Sequence, residues 1–128
     1  MRACRFLLST ALLGLSLPAL AADKSGEEVY NQTCIVCHGT GLLGAPKLSD
    51  GKRWGKLVAE GLDELIPAAL AGERQMPPKG NNPNLSDLEV ARAVIWMSNQ
   101  HGGKFAEPSV DQMTKWRAKA DRKKRKTP

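Results

Sequence analysis

Cys34-Ile35-Val36-Cys37-His38 gathers two thiols and an imidazole within five positions. C-x-x-C-H is the attachment sequence of a c-type haem. Two thiols three positions apart lie on roughly one side of a helical turn. There they can add to the two vinyl groups of a porphyrin and form two thioether bonds. The adjacent imidazole of His38 then reaches the iron as its first axial ligand. Three other chemistries use paired cysteines: a disulfide, a zinc site and a thioredoxin-type redox motif.

The flanking sequence weighs against those three. A bridge across C-x-x-C closes a very small loop and adds little stability. Zinc usually takes four ligands, and beyond Cys34, Cys37 and His38 the next histidine is His101, 63 positions on. A redox C-x-x-C belongs in a βαβ setting, and no alternating, strand-like run flanks this one. The N-terminus adds compartment. Arg2 and Arg5 precede an apolar stretch from Phe6 to Leu17, Pro18 breaks it, and Ala19-Leu20-Ala21 is a small-x-small cleavage pattern. Residues 1–21 therefore read as a secretory signal peptide, too short for a comfortable membrane span, with a retained anchor as the alternative. Cys4 falls inside it and has no assigned role. Removal leaves 107 residues whose cysteines are Cys34 and Cys37.

The elements that position the motif are helical, and no strand is expected. Ser25-Gly26-Glu27-Glu28 opens a helix with carboxylates in its first turn, where the helix dipole favours them. It carries Val29, Tyr30 and Thr33 into the motif, to about residue 36. Residues 51–72 form two shorter helical pieces, weakened by Gly55 and Gly61, with Pro67 inside the second and Gly72 ending it. Ser86-Asp87-Leu88-Glu89 is a capping box, with Leu85 and Val90 at the staple positions. Leu88, Ala91, Val94, Ile95 and Ser98 follow at helical spacing, and Gln100-His101-Gly102-Gly103 stops the helix. Two loops rich in Gly and Pro, Gly39–Pro46 and Met76–Pro83, have the fixed turns that hold backbone close to a ligand. One domain spanning 22–103 results. It is small enough to need a staple, and a covalent haem would supply both staple and bulk.

An iron held only by His38 is open to ligands, whereas an electron-transfer haem is closed by a second axial group. Met76, Met97, Met113 and His101 are the candidates. Met97 lies within the capped helix beside Trp96, where packing accounts for it. Met113 lies in a polar tail, and His101 at a helix end, where the dipole favours it. Met76 lies in Arg74-Gln75-Met76-Pro77-Pro78-Lys79-Gly80, a polar loop with no packing reason for a thioether. Ligation supplies that reason.

In these features the chain resembles class I c-type cytochromes, specifically the short bacterial cytochrome c5 family. The resemblance is carried by Tyr30 ahead of the Cys34–His38 motif, Gly44-Ala45-Pro46-Lys47, Trp54, the Met76-Pro77-Pro78-Lys79-Gly80 loop and Leu85-Ser86-Asp87. It covers about residues 24–101. It implies an all-α fold of three to four helices around one haem c, the first and last helices crossing with Tyr30 against Trp96, and His38/Met76 ligation. It also implies that Pro46 offers its carbonyl to Nδ1–H of His38, fixing the tautomer, and that Trp54 lies near a haem propionate. Members of that family often carry a further cysteine pair near the last helix. Here Asn81-Asn82-Pro83-Asn84 and the following helix have none.

The charge is uneven. Residues 22–111 hold 9 basic and 12 acidic residues, whereas residues 112–128 hold 8 basic and 1 acidic. Residues 104–128 are thus expected to be a basic, disordered tail outside the family pattern, open to an anionic redox partner or a membrane surface. Export argues against nucleic acid. The expectation is a periplasmic, monomeric, monohaem one-electron carrier and not an enzyme, serving redox donor and acceptor proteins or a membrane complex. The competing readings are an open-haem enzyme or sensor, with Met76 off the iron, and a haem subunit docked permanently in a membrane assembly.

Overall fold

The computed structural model describes residues 22–126. Residues 1–21, with the predicted signal and Cys4, and residues 127–128 lie outside the described residues. Ser25 caps α1 (Gly26–Val29): its hydroxyl accepts from the Glu28 amide, and the Glu28 carboxylate accepts from the Ser25 amide at 2.8 Å. The reciprocal pair satisfies two donors that a helix start leaves unpaired. α1 runs directly into a π-helical turn, Tyr30–Cys34, and then α2 (Ile35–His38). In that turn the Ile35 amide reaches back five residues to the Tyr30 carbonyl. A wider turn of this kind shifts which face the following residues present, and here those residues are the C-x-x-C-H motif.

A 3₁₀ turn (Leu42–Gly44) follows, then α3 (Gly51–Glu60), α4 (Leu62–Ala71), a second 3₁₀ turn (Pro78–Asn81), α5 (Asp87–Asn99) and α6 (Val110–Lys126). No strand occurs among the described residues beyond an isolated bridge between Glu73 and Met76, so the all-α expectation holds. α5 begins at the predicted capping box, Ser86 with Glu89, and the staple residues Leu85 and Val90 are both buried.

α1 crosses α5 at very short range. A Cβ on Gly26 would stand 2.2 Å from the Arg92 carbonyl oxygen and 2.8 Å from the Trp96 Cβ. Only a residue without a side chain fits there. Tyr30 and Trp96 meet at the crossing as implied, with ring centroids 4.9 Å apart. The Lys24 amide donates to Glu89 Oε1 at 3.0 Å, joining the start of α1 to the α5 cap.

The core has two parts. The larger centres on Val29, Ile66, Leu70, Leu85 and the inward face of α5; the smaller is Tyr30, Trp54 and Met97. Cys34 packs against both. Met97 is therefore a packing residue, as the sequence indicated.

The disordered tail expected over residues 104–128 is not what forms. Val110–Lys126 is helix α6, packed on α4 with Trp116 and Ala120 buried. Of the tail's apolar residues, Met113, Trp116 and Ala120 recur at three- and four-residue spacing and so share one helix face. The polar partners are equally specific. The Trp116 indole donates to Asp63 Oδ1 at 2.6 Å. Pro67 lacks the amide that would bond the carbonyl four residues back, and that carbonyl, of Asp63, instead accepts Lys119 Nζ at 2.8 Å. Arg117 spans both carboxylate oxygens of Asp87, with Nε to Oδ2 at 2.6 Å. The basic residues that suggested a solvated tail thus include the side chains that dock it.

Trp116→Ala should lower the unfolding free energy by about 3–5 kcal/mol, read by chemical denaturation of the holoprotein; a disordered tail would leave stability unchanged. Acid should act through Asp87, whose pKa lies below its ordinary 3.8 because of the Arg117 hydrogen bonds, reinforced by Lys79. A carboxylate with a lowered folded pKa adds stability above its unfolded pKa and loses it as pH falls through the folded value. Asp87→Asn should therefore destabilise the protein at pH 6, and the difference from wild type should start to shrink near the ordinary value of 3.8 and vanish only as pH falls through the lower folded value, read as melting temperature against pH.

Candidate functional site

The motif sits where the π-helical turn passes into α2, and its three chemical side chains have different surroundings. Cys34 and Cys37 are both half-buried and are not bridged to each other. Burial pushes the Cys34 thiol up to about 11. An unattached Cys34 would thus be protonated at neutral pH, unlike the activated thiolate that a redox C-x-x-C needs. Among the described residues no group of three or more His, Cys, Asp or Glu side chains is gathered to hold a metal ion, so the donors do not form a zinc cage.

His38 is 8% exposed. Its Nδ1 meets the Pro46 carbonyl at 2.9 Å, the contact the resemblance implied. A carbonyl only accepts, so Nδ1 carries the proton and Nε2 keeps its lone pair. Burial lowers the His38 pKa below 6.5; the Pro46 bond opposes that and Arg53 adds to it. At neutral pH the ring is an uncharged imidazole with one ligating nitrogen, the form that coordinates a metal. Pro46 follows the Gly41 and Gly44 turns, both at positive φ. The Leu48 amide bonds the His38 carbonyl at 2.6 Å, closing the loop on the motif.

Trp54 on α3 is buried, and its indole donates to the Lys47 carbonyl at 2.9 Å. Its ring lies 6.1 Å from that of His38. On its other contact it stacks with His101, centroids 5.7 Å apart and planes 12° apart. Sequence reasoning did not pair these two, since one residue precedes α5 by a whole helix and the other follows it. The His101 Nε2 is buried without a hydrogen-bond partner. His101 and Gln100 also line an open depression of about 440 Å³ with Tyr30, Gly39, Leu48 and Ser49. Neither motif cysteine nor Met76 borders it.

Met76 is half-buried and packs against the larger part of the core, as Cys34 does. Its backbone is pinned on both sides: its amide donates to the Glu73 carbonyl at 2.9 Å and its carbonyl accepts the Glu73 amide at 3.0 Å. Gly72, at φ 82°, makes room for this turn, since a Cβ there would lie 2.9 Å from the Met76 carbonyl oxygen. The following residues return to the motif helix. Asn82 Nδ2 donates to Thr33 Oγ1 at 3.2 Å, and a Cβ on Gly80 would meet Thr33 at 3.3 Å. The two segments that the sequence singled out are thus neighbours. Met113, another thioether, lies on α6 against the larger core.

Apolar groups are also left outside. Ile35, Val36, Leu42 and Leu43, on and just after the motif, are 40–63% exposed. A split core with Cys34 between its parts, a neutral imidazole with Nε2 unoccupied by Pro46, and an apolar rim together fit a flat, largely apolar group bonded through both thiols.

Comparison with known proteins agrees. The family profile described as "Cytochrome C oxidase, cbb3-type, subunit III" matches residues 21–97. Cytochrome c-555 of Chlorobaculum tepidum is 36% identical over 102 residues, covering 73% of this chain and 94% of that protein. Cytochrome c5 of Azotobacter vinelandii is 45% identical over 78 residues, covering 59% and 93% respectively. A chain in the solved structure described as "Crystal structure of electron transfer complex of nitrite reductase with cytochrome c" superposes with a TM-score of 0.58 at 34% identity, covering 63% of this chain and 99% of that one. The chain belongs to the small class I c-type cytochromes and resembles cytochrome c5, a family of covalent haem c proteins that carry electrons and are not enzymes.

Proposed function

We propose that this monohaem carrier holds its haem through thioethers to Cys34 and Cys37, with His38 and Met76 as the axial ligands, and passes single electrons between exported redox proteins in the periplasm. The His38–Pro46 hydrogen bond, 2.9 Å long, carries the reading. It fixes the tautomer and aims the one free imidazole nitrogen, as a buried metal-ligating histidine requires. The packing of the Met76 loop against Thr33 supports Met76 as the second ligand.

The haem supplies the one-electron couple. The chain sets the conditions. Met76 offers a thioether, which favours the reduced iron and raises the potential relative to a second imidazole. Burial of the surrounding core disfavours the extra charge of the oxidised iron in the same direction. With His38 and Met76 both committed to the iron, the bound haem would be closed to substrates and left with outer-sphere transfer. Trp54 acts as a wall: its indole N–H is committed to the Lys47 carbonyl, so its proposed place near a propionate is one of packing.

The apolar rim of Ile35, Val36, Leu42 and Leu43 suits brief contact with a redox partner. The solved relative lies in an electron transfer complex with nitrite reductase, which supports a partner of the redox-protein class. The exposed basic residues at the end of α6, among them Arg122, Lys124 and Arg125, offer a patch to an anionic partner or membrane. The description of the matching profile as an oxidase subunit favours a second reading, permanent docking in a membrane assembly. No helix among the described residues is long and apolar enough to cross a membrane. Membrane co-fractionation that survives high salt would replace the free shuttle by the docked subunit.

Covalent attachment predicts that acidified organic solvent leaves haem on the wild-type chain and extracts it from a Cys34→Ala, Cys37→Ala double variant. Free extraction from wild type would end the reading. For the axial pair, Met76→Ala should open the sixth position to carbon monoxide in the reduced state and lower the potential, whereas Met97→Leu should change neither, being a volume-conserving swap in packing. A haem that stays closed in Met76→Ala and opens in His101→Ala would move the ligand to His101. Wild-type protein that binds carbon monoxide readily would point to the open-haem enzyme or sensor.

A further inference from the structure

The matching family profile ends at residue 97, so α6 lies beyond it, and a docking patch at its basic end does not account for the side chains that α6 turns toward the rest of the molecule. Most of its contacts are with α4, through Trp116 on Asp63 and Lys119 on Asp63 and Glu64. Two others reach the flanks of the segment that bears Met76. On the entering side, Lys123 Nζ lies 3.7 Å from Glu73 Oε2 and 4.0 Å from Glu64 Oε2. Glu73 is the residue whose backbone forms both hydrogen bonds to Met76. On the leaving side, Lys79 Nζ lies 3.1 Å from Asp87 Oδ1 and donates to the Leu85 carbonyl at 2.7 Å. Arg117 of α6 grips the same Asp87 carboxylate through two nitrogens. Met113 packs against the larger core, as Met76 does.

The segment so held is strained. Arg74 and Lys79 both sit near φ 54°, a left-handed conformation that a residue with a Cβ adopts only when its surroundings impose it. Such a loop tends to relax if its ends are released, and relaxation would withdraw the thioether.

We propose that α6 is a clamp on the Met76 loop: Lys123 acting on Glu73, and Arg117 acting through Asp87 on Lys79, are positioning residues that hold the Met76 thioether on the haem iron. The inference rests on Met76 being the axial ligand. Its physical consequence is a population. An added ligand binds only the fraction of molecules in which Met76 is off the iron, so its apparent affinity scales with that fraction. Loosening the clamp enlarges the fraction and strengthens binding.

The experiment titrates imidazole into the oxidised, full-length holoprotein and follows displacement of the sulfur–iron charge-transfer absorption. Lys123→Ala and Arg117→Ala should each strengthen imidazole binding by about threefold, the scale of one partly exposed ion pair. The double variant should reach about tenfold, since the anchors lie at opposite ends of the loop. Arg117→Lys should recover part of the loss. Arg92→Ala, which removes the Arg92–Glu107 pair and the bonds to the Asp23 and Lys24 carbonyls but no contact with the loop, and Lys115→Ala, which removes an exposed charge from α6 itself, should leave the affinity at the wild-type value. Wild-type affinity in both clamp variants, or equal strengthening in Arg92→Ala, overturns the clamp and reduces α6 to a stabilising helix. Met76→Ala separates this from failure of the ligand assignment. If that variant binds imidazole far more tightly than wild type while the clamp variants do not, Met76 stands and the clamp falls. If it binds no more tightly than wild type, the assignment fails and the clamp goes with it.

Discussion

The crossing of α1 over α5 at Gly26 is the constraint on which the remaining arrangement depends. Any side chain at position 26 would collide with the Arg92 carbonyl, so the distance between the two helices is set by backbone against backbone. The direction of the motif follows from it. Tyr30 stacks on Trp96, the π-helical turn begins at that residue, and the two cysteines and His38 emerge over the next two turns. The other end of the same crossing is tied by the Lys24 amide to Glu89, whose second carboxylate oxygen caps α5. A shift of α1 along α5 would therefore break a cap, an aromatic contact and the aim of the motif together. Coupling of this kind gives a small domain one well-defined state from few interactions.

From α5 the order extends to the second half of the site. The N-terminus of α5 supplies Leu85 and Asp87, which receive Lys79 from the Met76 loop, and Arg117 of α6 closes on the same carboxylate. Motif helix and methionine loop are thus both referred to α5, one through the crossing and one through its first turn. Relative position matters more than the identity of either segment, because the proposed axial ligands, 38 positions apart in sequence, must present a nitrogen and a sulfur to one iron. The strained backbone at Arg74 and Lys79 shows that the loop is fitted to its surroundings and does not adopt its lowest local energy.

α6 illustrates how composition misleads when read without its neighbours. A run rich in Lys and Arg with one acidic residue reads as solvated and disordered. Yet α4 presents Asp63, Glu64 and a carbonyl freed by Pro67, and α5 presents Asp87. Each takes a partner from α6. The proline that weakened the sequence pattern of α4 thereby creates an acceptor for a lysine 56 positions beyond the carbonyl it frees.

What the sequence determined by itself was the local chemistry. The C-x-x-C-H spacing, the two capping boxes, the helical periodicity of α5 and the anomalous methionine in a Pro-Gly loop are all short-range patterns, and short-range patterns follow from helix geometry and side-chain type alone. The all-α class and the crossing of the outer helices followed from them through resemblance. What only the tertiary structure decided were the long-range pairings: His101 on Trp54, Lys79 and Arg117 on one Asp87, Trp116 on Asp63, and Gly26 at the point of closest approach. The physical reason is that an ion pair or a stack requires complementary groups brought within a few ångströms, and no single segment contains both members. For Lys and Arg in particular, the same side chain is a solvated charge or a docking contact according to whether a carboxylate or carbonyl waits opposite it.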